Sequence, residues 1–235
     1  SNTNSLSRRQ YLETVEAIEA DTEMSEDEKA AALQEANETV VLDSGRQASG
    51  LRMLEEIRQW NKDHPDEEPK VVRAHVLAWH GGQQPNYFFC DGFYYDSSKT
   101  LAEQAVDEET MLARLDNYIR QMMEVYSEYN DIIVAWDVVN EAIDDYTGQI
   151  RNAEGYQVGQ WGTVFRHEEL DDDPDARLEA ESAWVRQAFA SARKWSDEYG
   201  CDWKLYYNDF QDSNKLYEPK MSQTIKMLEP IYAAG

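Results

Sequence analysis

The chain has 235 residues, with 47 Asp and Glu against 22 Lys and Arg, for a formal net charge of −25. That balance excludes the clustered cations needed to neutralise nucleic-acid phosphates, and it sets the chain against an anionic membrane surface. A content of 41% hydrophobic and 11% aromatic residues, with seven Trp and fourteen Tyr, excludes an acidic disordered chain.

No apolar run approaches the ~20 residues of a membrane span. The start, Ser1-Asn2 without Met, reads as an appended scar rather than a signal peptide, so an export signal is expected to have been removed or never present. Cys90 and Cys201 lie far apart and have no metal-ligand spacing, so neither a disulfide scaffold nor a metal site is expected. The length is close to the ~250 residues typical of a (β/α)8 barrel.

Residues 1–45 are rich in Glu and Ala, contain no Trp, and have Gly only at Gly45. They read as an acidic helical extension, mostly solvated, ahead of the main body at 46–235. A helix is expected near Arg8 to Ala20. Ser25-Glu26-Asp27-Glu28 forms a capping box that opens a second helix through about Thr39.

From Ser49 onward, helices alternate with short β-rich runs. Met53, Leu54 and Ile57 make a helical stripe, and Val71 to His80 reads as a strand ending in Trp79-His80. Leu112, Leu115, Ile119, Met122 and Tyr126 recur at helical steps, and Ile132 to Val139 is a strand ending in Asn140-Glu141. Ala180, Trp184, Ala188, Ala192 and Trp195 read as one helix stopped by Gly200. Lys204 to Tyr207 is a short strand ending in Asn208-Asp209, and Met221, Ile225, Leu228 and Tyr232 form a last helix with Pro219 near its start.

Strands without polar alternation are expected to be buried on both faces, in a parallel α/β sheet covered by helices. Such sheets bind ligands at the carboxyl ends of their strands. Function is therefore sought at His80, Asn140, Glu141, Asn208 and Asp209. At the rim, Glu141 is either a partly desolvated general acid or an ordinary loop glutamate. His80 is followed by Gly81-Gly82, a pair that lets backbone approach a ligand. His75 reads as a satisfied core group, and His64 and His167 fall in polar loops. Asn208 and Asp209 offer an amide and a second carboxylate, and they are also good turn formers; Glu141 with Asp209 has the composition of a glycosidase acid/base pair.

The loops after the first two strands carry Tyr87, Phe88, Phe89, Phe93, Tyr94, Tyr95, then Tyr146, Tyr156 and Trp161. They read as platforms for sugar faces or as packing of each loop on its own fold. No Gly-rich phosphate loop, dinucleotide fingerprint or Gly-x-Ser-x-Gly elbow occurs, so no cofactor is expected.

Three blocks in order, Arg73-Ala74-His75-Val76-Leu77-Ala78-Trp79-His80, Ala135-Trp136-Asp137-Val138-Val139-Asn140-Glu141-Ala142 and Lys204-Leu205-Tyr206-Tyr207-Asn208-Asp209, resemble the endo-1,4-β-xylanases of glycoside hydrolase family 10. The resemblance implies a (β/α)8 TIM barrel that hydrolyses xylan with retention through two glutamates. By position, Glu141 matches the acid/base, Asn140 the residue that holds the nucleophile and the sugar 2-hydroxyl, and His80, beside Trp79, a sugar-binding histidine. Asn208 matches a residue lining the cleft, with Asp209 as its support rather than the second catalytic carboxylate.

The chain also departs from the family pattern. After Trp79-His80 the family's Ser-Gln-Thr-Pro is replaced by the longer Gly81-Gly82-Gln83-Gln84-Pro85, leaving Gln83 and Gln84 both as candidates to face the sugar. Tyr87 stands where a Trp is common. Phe210-Gln211 replaces Tyr-Asn, a lost phenol expected to weaken leaving-group binding. No Thr-Glu-Leu-Asp-like nucleophile strand and neither of the first two strands is recognisable.

The resemblance thus implies the third to fifth barrel strands with flanking helices, and an acidic insertion placed between the second strand and its helix. The expected protein is the central portion of a secreted xylanase, bearing the acid/base but not the nucleophile. It is expected to be inactive alone, to take xylan or xylo-oligosaccharides as partner, and to self-associate through open sheet edges. A non-catalytic oligosaccharide-binding remnant and a purely structural α/β module are the rival readings.

Overall fold

The computed structural model describes residues 6–152, 159–210 and 218–234. Ser1, Asn2, Tyr156 and Gln211 lie outside the described residues. The N-terminal region forms α1 (Leu6–Ala20), α2 (Glu26–Glu38) and α3 (Ser44–Asp63). The capping box forms as the sequence predicts: Glu28 N donates to Ser25 Oγ (3.3 Å), and Ser25 N donates to Glu28 Oε2 (2.8 Å). Accepting from the Ser25 backbone and hydroxyl holds the Glu28 carboxyl below its ordinary value.

These helices are less solvated than their composition suggests. Ile18, Ala36 and Val40 are buried, and α2 packs on the central helix α4 (Glu108–Ser127). Arg114 of α4, fully buried, makes the tie. It donates to Asn37 O (2.6 Å) and Asn37 Oδ1 (2.5 Å) of α2, and to Phe88 O (2.7 Å) and Cys90 O (2.9 Å) of the loop that follows the first strand. Its guanidinium also lies 3.9 Å from the Phe93 ring centroid. Burial lowers its pKa to about 10, so it stays charged at neutral pH.

Strands β1 (Val72–Trp79), β2 (Ile133–Asn140) and β3 (Lys204–Asn208) form one parallel sheet in that order. The pairing places Trp79 opposite Asn140 and Asn140 opposite Asn208. The chemically useful strand ends therefore stand side by side along a single rim.

One face is covered by α4, through Met111, Leu115, Ile119 and Met123, and by α7 (Ala183–Glu198), through Trp184, Val185, Ala188 and Ala192. The predicted continuous helix from Ala180 is broken at Ser182, so Ala180 belongs to a separate α6 (Pro174–Glu181). The chain then runs through α5 (Gln160–Val164), α6, α7 and β3 to α8 (Glu218–Ala233).

The expected burial on both faces holds for most of β2 but not for β1 and β3. On the face away from α4 and α7, Arg73 Nε donates to Asp137 Oδ1 (2.7 Å), His75 Nδ1 lies 2.9 Å from Asp137 Oδ2, and Arg73 stacks over Tyr206. Arg73 and His75 meet solvent on this face, whereas Asp137, which both of them pair with, is buried. His75, expected as a core group, has a side chain 44% exposed, and it is anchored by a carboxylate rather than by apolar packing.

Candidate active site

Glu141 is the first residue past β2, and its backbone takes φ = 52°, in the left-handed region. A long side chain there costs roughly 1–2 kcal/mol and persists only where neighbours hold it. The turn lifts the carboxylate to the rim beside the β1 end. Trp79 Nε1 donates to Glu141 Oε2 (3.2 Å), and His80 Nε2 lies 3.9 Å from the same oxygen. The side chains of His80 and Glu141 are 10% and 17% exposed, so this cluster is largely withdrawn from water but open at the rim.

Gly81 makes the approach possible. A Cβ at this position would sit 2.5 Å from the Trp79 ring, which folds back across it toward Glu141. Asn140, buried, shares the Trp79 indole: with its amide oxygen toward Trp79 Nε1 (2.9 Å), its nitrogen meets the Asn208 carbonyl (2.9 Å). The Asn208 side chain lies 2.8 Å from the Asn140 amide. Trp79, His80, Asn140, Glu141 and Asn208 thus form one contiguous group.

Asp209 sits behind that group rather than across an open cleft from Glu141. Its side chain is 3% exposed, accepts from Tyr207 Oη (2.8 Å) and meets Lys220 Nζ (2.6 Å). Burial raises its pKa, with the Glu141 charge adding to the effect and Lys220 and Tyr207 opposing it. Burial and the Asp209 charge likewise push the Tyr207 phenol well up.

The two glutamines go elsewhere. Gln84 is buried, donates to Leu77 O (2.6 Å) and accepts from Trp79 N (3.4 Å), so its amide holds the end of β1. Gln83 donates to Tyr118 Oη (3.2 Å) of α4. The longer loop turns Gln83 toward α4 and folds Gln84 back onto the β1 backbone.

Most of the aromatic loop residues are packing. Phe88, Phe89, Phe93 and Trp161 are buried, and Trp161 stacks on Trp184 at 4.9 Å and meets Phe89 edge-on at 5.0 Å. Tyr146 (64%), Phe210 (48%) and Tyr94 (42%) remain exposed.

Sequence reasoning passed over Arg151, Asp145, Tyr207 and Lys220, all bonded together behind Glu141. A lone cation in a loop or a helix, or one strand tyrosine beside another, carries no sequence signal; only the fold brings them together. Among the described residues no group of three or more His, Cys, Asp or Glu could hold a metal ion.

The sequence profile of Glycosyl hydrolase family 10 matches residues 55–235. A putative endo-1,4-beta-xylanase of Caldicellulosiruptor saccharolyticus is 36% identical over 140 residues, covering 59% of this chain and 35% of that protein. Endo-1,4-beta-xylanase Y of Acetivibrio thermocellus is 29% identical over 167 residues, covering 70% of this chain and 14% of that protein. Among solved structures, the N-terminal CBM22-1 and GH10 modules of endo-1,4-beta-D-xylanase 10B from Clostridium thermocellum, complexed with xylohexaose, share 27% identity with a TM-score of 0.51. That alignment covers 70% of this chain and 29% of the other.

The chain thus spans about a third or less of these relatives. The likeness to that structure makes the three parallel strands and their helices consistent with part of a TIM barrel. With the profile covering most of its length, the chain belongs to glycosyl hydrolase family 10.

Proposed function

We propose that the chain is the acid/base-bearing part of a retaining endo-1,4-β-xylanase and that its rim binds xylan or xylo-oligosaccharides. The observation that carries this reading is the register of Trp79, Asn140 and Asn208 across the sheet, with the Glu141 carboxylate held between Trp79 and His80. In the protonated state Glu141 delivers its proton to the leaving glycosidic oxygen; once ionised it takes a proton from the attacking water. His80, Asn140 and Asn208 supply donors and acceptors for sugar hydroxyls, and Trp79 holds the acid/base in place.

Retention needs a second carboxylate ~5–5.5 Å away as nucleophile. Among the described residues, the carboxylates behind Glu141, those of Asp144, Asp145 and Asp209, are buried and face Arg151 or Lys220. We therefore read this chain as lacking the nucleophile and as inactive by itself. Calorimetric titration with xylohexaose is expected to show saturable binding, with no reducing sugar released from xylan. Turnover abolished by Glu141→Gln would overturn the inactive reading, and absence of binding would overturn the substrate.

In this reading β1, β2 and β3 are the third, fourth and fifth barrel strands, residues 1–45 are an insertion ahead of the main body at 46–235, and the protein is exported. The outer edges of β1 and β3 are unpaired among the described residues, which supports self-association through them. Sedimentation is expected to show an oligomer at high concentration; a compact monomer at every concentration would contradict this.

A further inference from the structure

The left-handed turn at Glu141 is held by Asn208 at the rim and, behind it, by groups that never reach the rim. Each backbone polar group of residues 141 and 142 has a partner. Glu141 N donates to Asn208 O (3.0 Å), and Glu141 O accepts from Arg151 Nε (2.9 Å). Ala142 N donates to Tyr207 Oη (2.9 Å), and Ala142 O accepts from Arg151 N (2.9 Å).

Behind them the side chains close a ring. From the Ala142 amide it runs through Tyr207 Oη to Asp209 Oδ2 (2.8 Å), and Lys220 Nζ then bridges Asp209 and Asp145 at 2.6 Å each. Asp145 accepts from Arg151 Nη2 (2.9 Å), and Arg151 returns to the Glu141 carbonyl. Arg151 is 2% exposed and Lys220 fully buried, so the ring is dry and its bonds are not replaced by solvent. Gly159 seals the Arg151 side: a Cβ there would lie 2.2 Å from the Arg151 carbonyl.

We infer that Tyr207 and Arg151 are positioning residues for Glu141, which fix the strained turn and so aim its carboxylate between Trp79 and His80. The inference rests on the reading of Glu141 as the acid/base. Neither residue touches the carboxylate; both act through the backbone that carries it. Tyr207 is the more telling of the two, because its hydroxyl both accepts from the turn and donates into the ring.

Tyr207→Phe in the full chain removes that one oxygen and little else. Amide hydrogen exchange at Ala142 should accelerate by roughly tenfold, the worth of one lost buried hydrogen bond, while Leu115 and Ile119 of α4 keep wild-type rates. The three-bond HN–Hα coupling of Glu141, which reports φ, should move in the same variant, and xylohexaose affinity should fall several-fold. Arg151→Lys, which loses the Nε donor, should give the same local signature and serves if Tyr207→Phe folds poorly.

An unchanged Ala142 rate and Glu141 coupling, or equal acceleration across the whole chain, would overturn the inference. Should the wild-type chain fail to bind xylohexaose, the substrate reading fails, and the exchange and coupling measurements still decide this one.

Discussion

Arg114→Met is expected to destabilise the chain by about 3–5 kcal/mol, the range for removing one member of a buried, fully bonded ionic group. The variant keeps the apolar stem but strips the donors from Asn37 O, Asn37 Oδ1, Phe88 O and Cys90 O, leaving them buried without their partner. Against a total stability of ~5–15 kcal/mol, that is a large fraction.

The loss should also be directional. Arg114 joins α2, the aromatic loop and α4, so urea unfolding of the variant should be accompanied by proteolytic cutting within α1 and α2 before the sheet opens. Arg58, whose pair with Asp131 is substantially exposed, is the control: Arg58→Met should shift the urea midpoint far less. Equal midpoints for Arg114→Met and wild type would refute the claim that the acidic helices are bolted to the core.

Lys220→Met should cost a similar ~3–5 kcal/mol at neutral pH, because Asp145 and Asp209 are then buried without the ammonium that separates them. The direction with pH follows from Asp209, whose folded-state pKa is already raised above its ordinary 3.8 by burial. A carboxyl raised on folding contributes stability that is fully present below its unfolded pKa and is lost as pH rises through the folded value. Removing Lys220 takes away the main opposing charge and raises that value further. The gap between variant and wild type should therefore narrow as pH falls toward the ordinary carboxyl range. Chemical denaturation at neutral and acid pH checks this; a constant gap would place the energetic role of Lys220 outside the carboxylate pair.

The elements and their order were legible because each has a strong local cause. The Ser25–Glu28 box opens α2, the Leu112-to-Tyr126 periodicity makes α4, and the unalternating runs before Asn140 and Asn208 make β2 and β3. The break at Ser182 escaped notice because Ala180 happens to continue the period of α7 across it. The open face of the sheet was misread because apolar patterning reports what a strand is suited to, not what covers it.

Within the site, the strand-end residues announced themselves through position. The fate of Gln83 and Gln84 depended on how a loop one residue longer folds, sending one amide to α4 and the other to the β1 backbone, a tertiary question. The ring through Arg151, Asp145, Lys220 and Tyr207 joins the loop after β2 to β3 and α8, and residues so far apart carry no shared local pattern.

The most direct test of the account is calorimetric titration of the full chain with xylohexaose, beside His80→Ala and Asn140→Ala. The rim of Trp79, His80, Asn140, Glu141 and Asn208 predicts saturable binding by the wild type, weakened roughly tenfold or more in each variant through loss of a buried polar contact. No binding by the wild type, or binding that both variants retain undiminished, would contradict it.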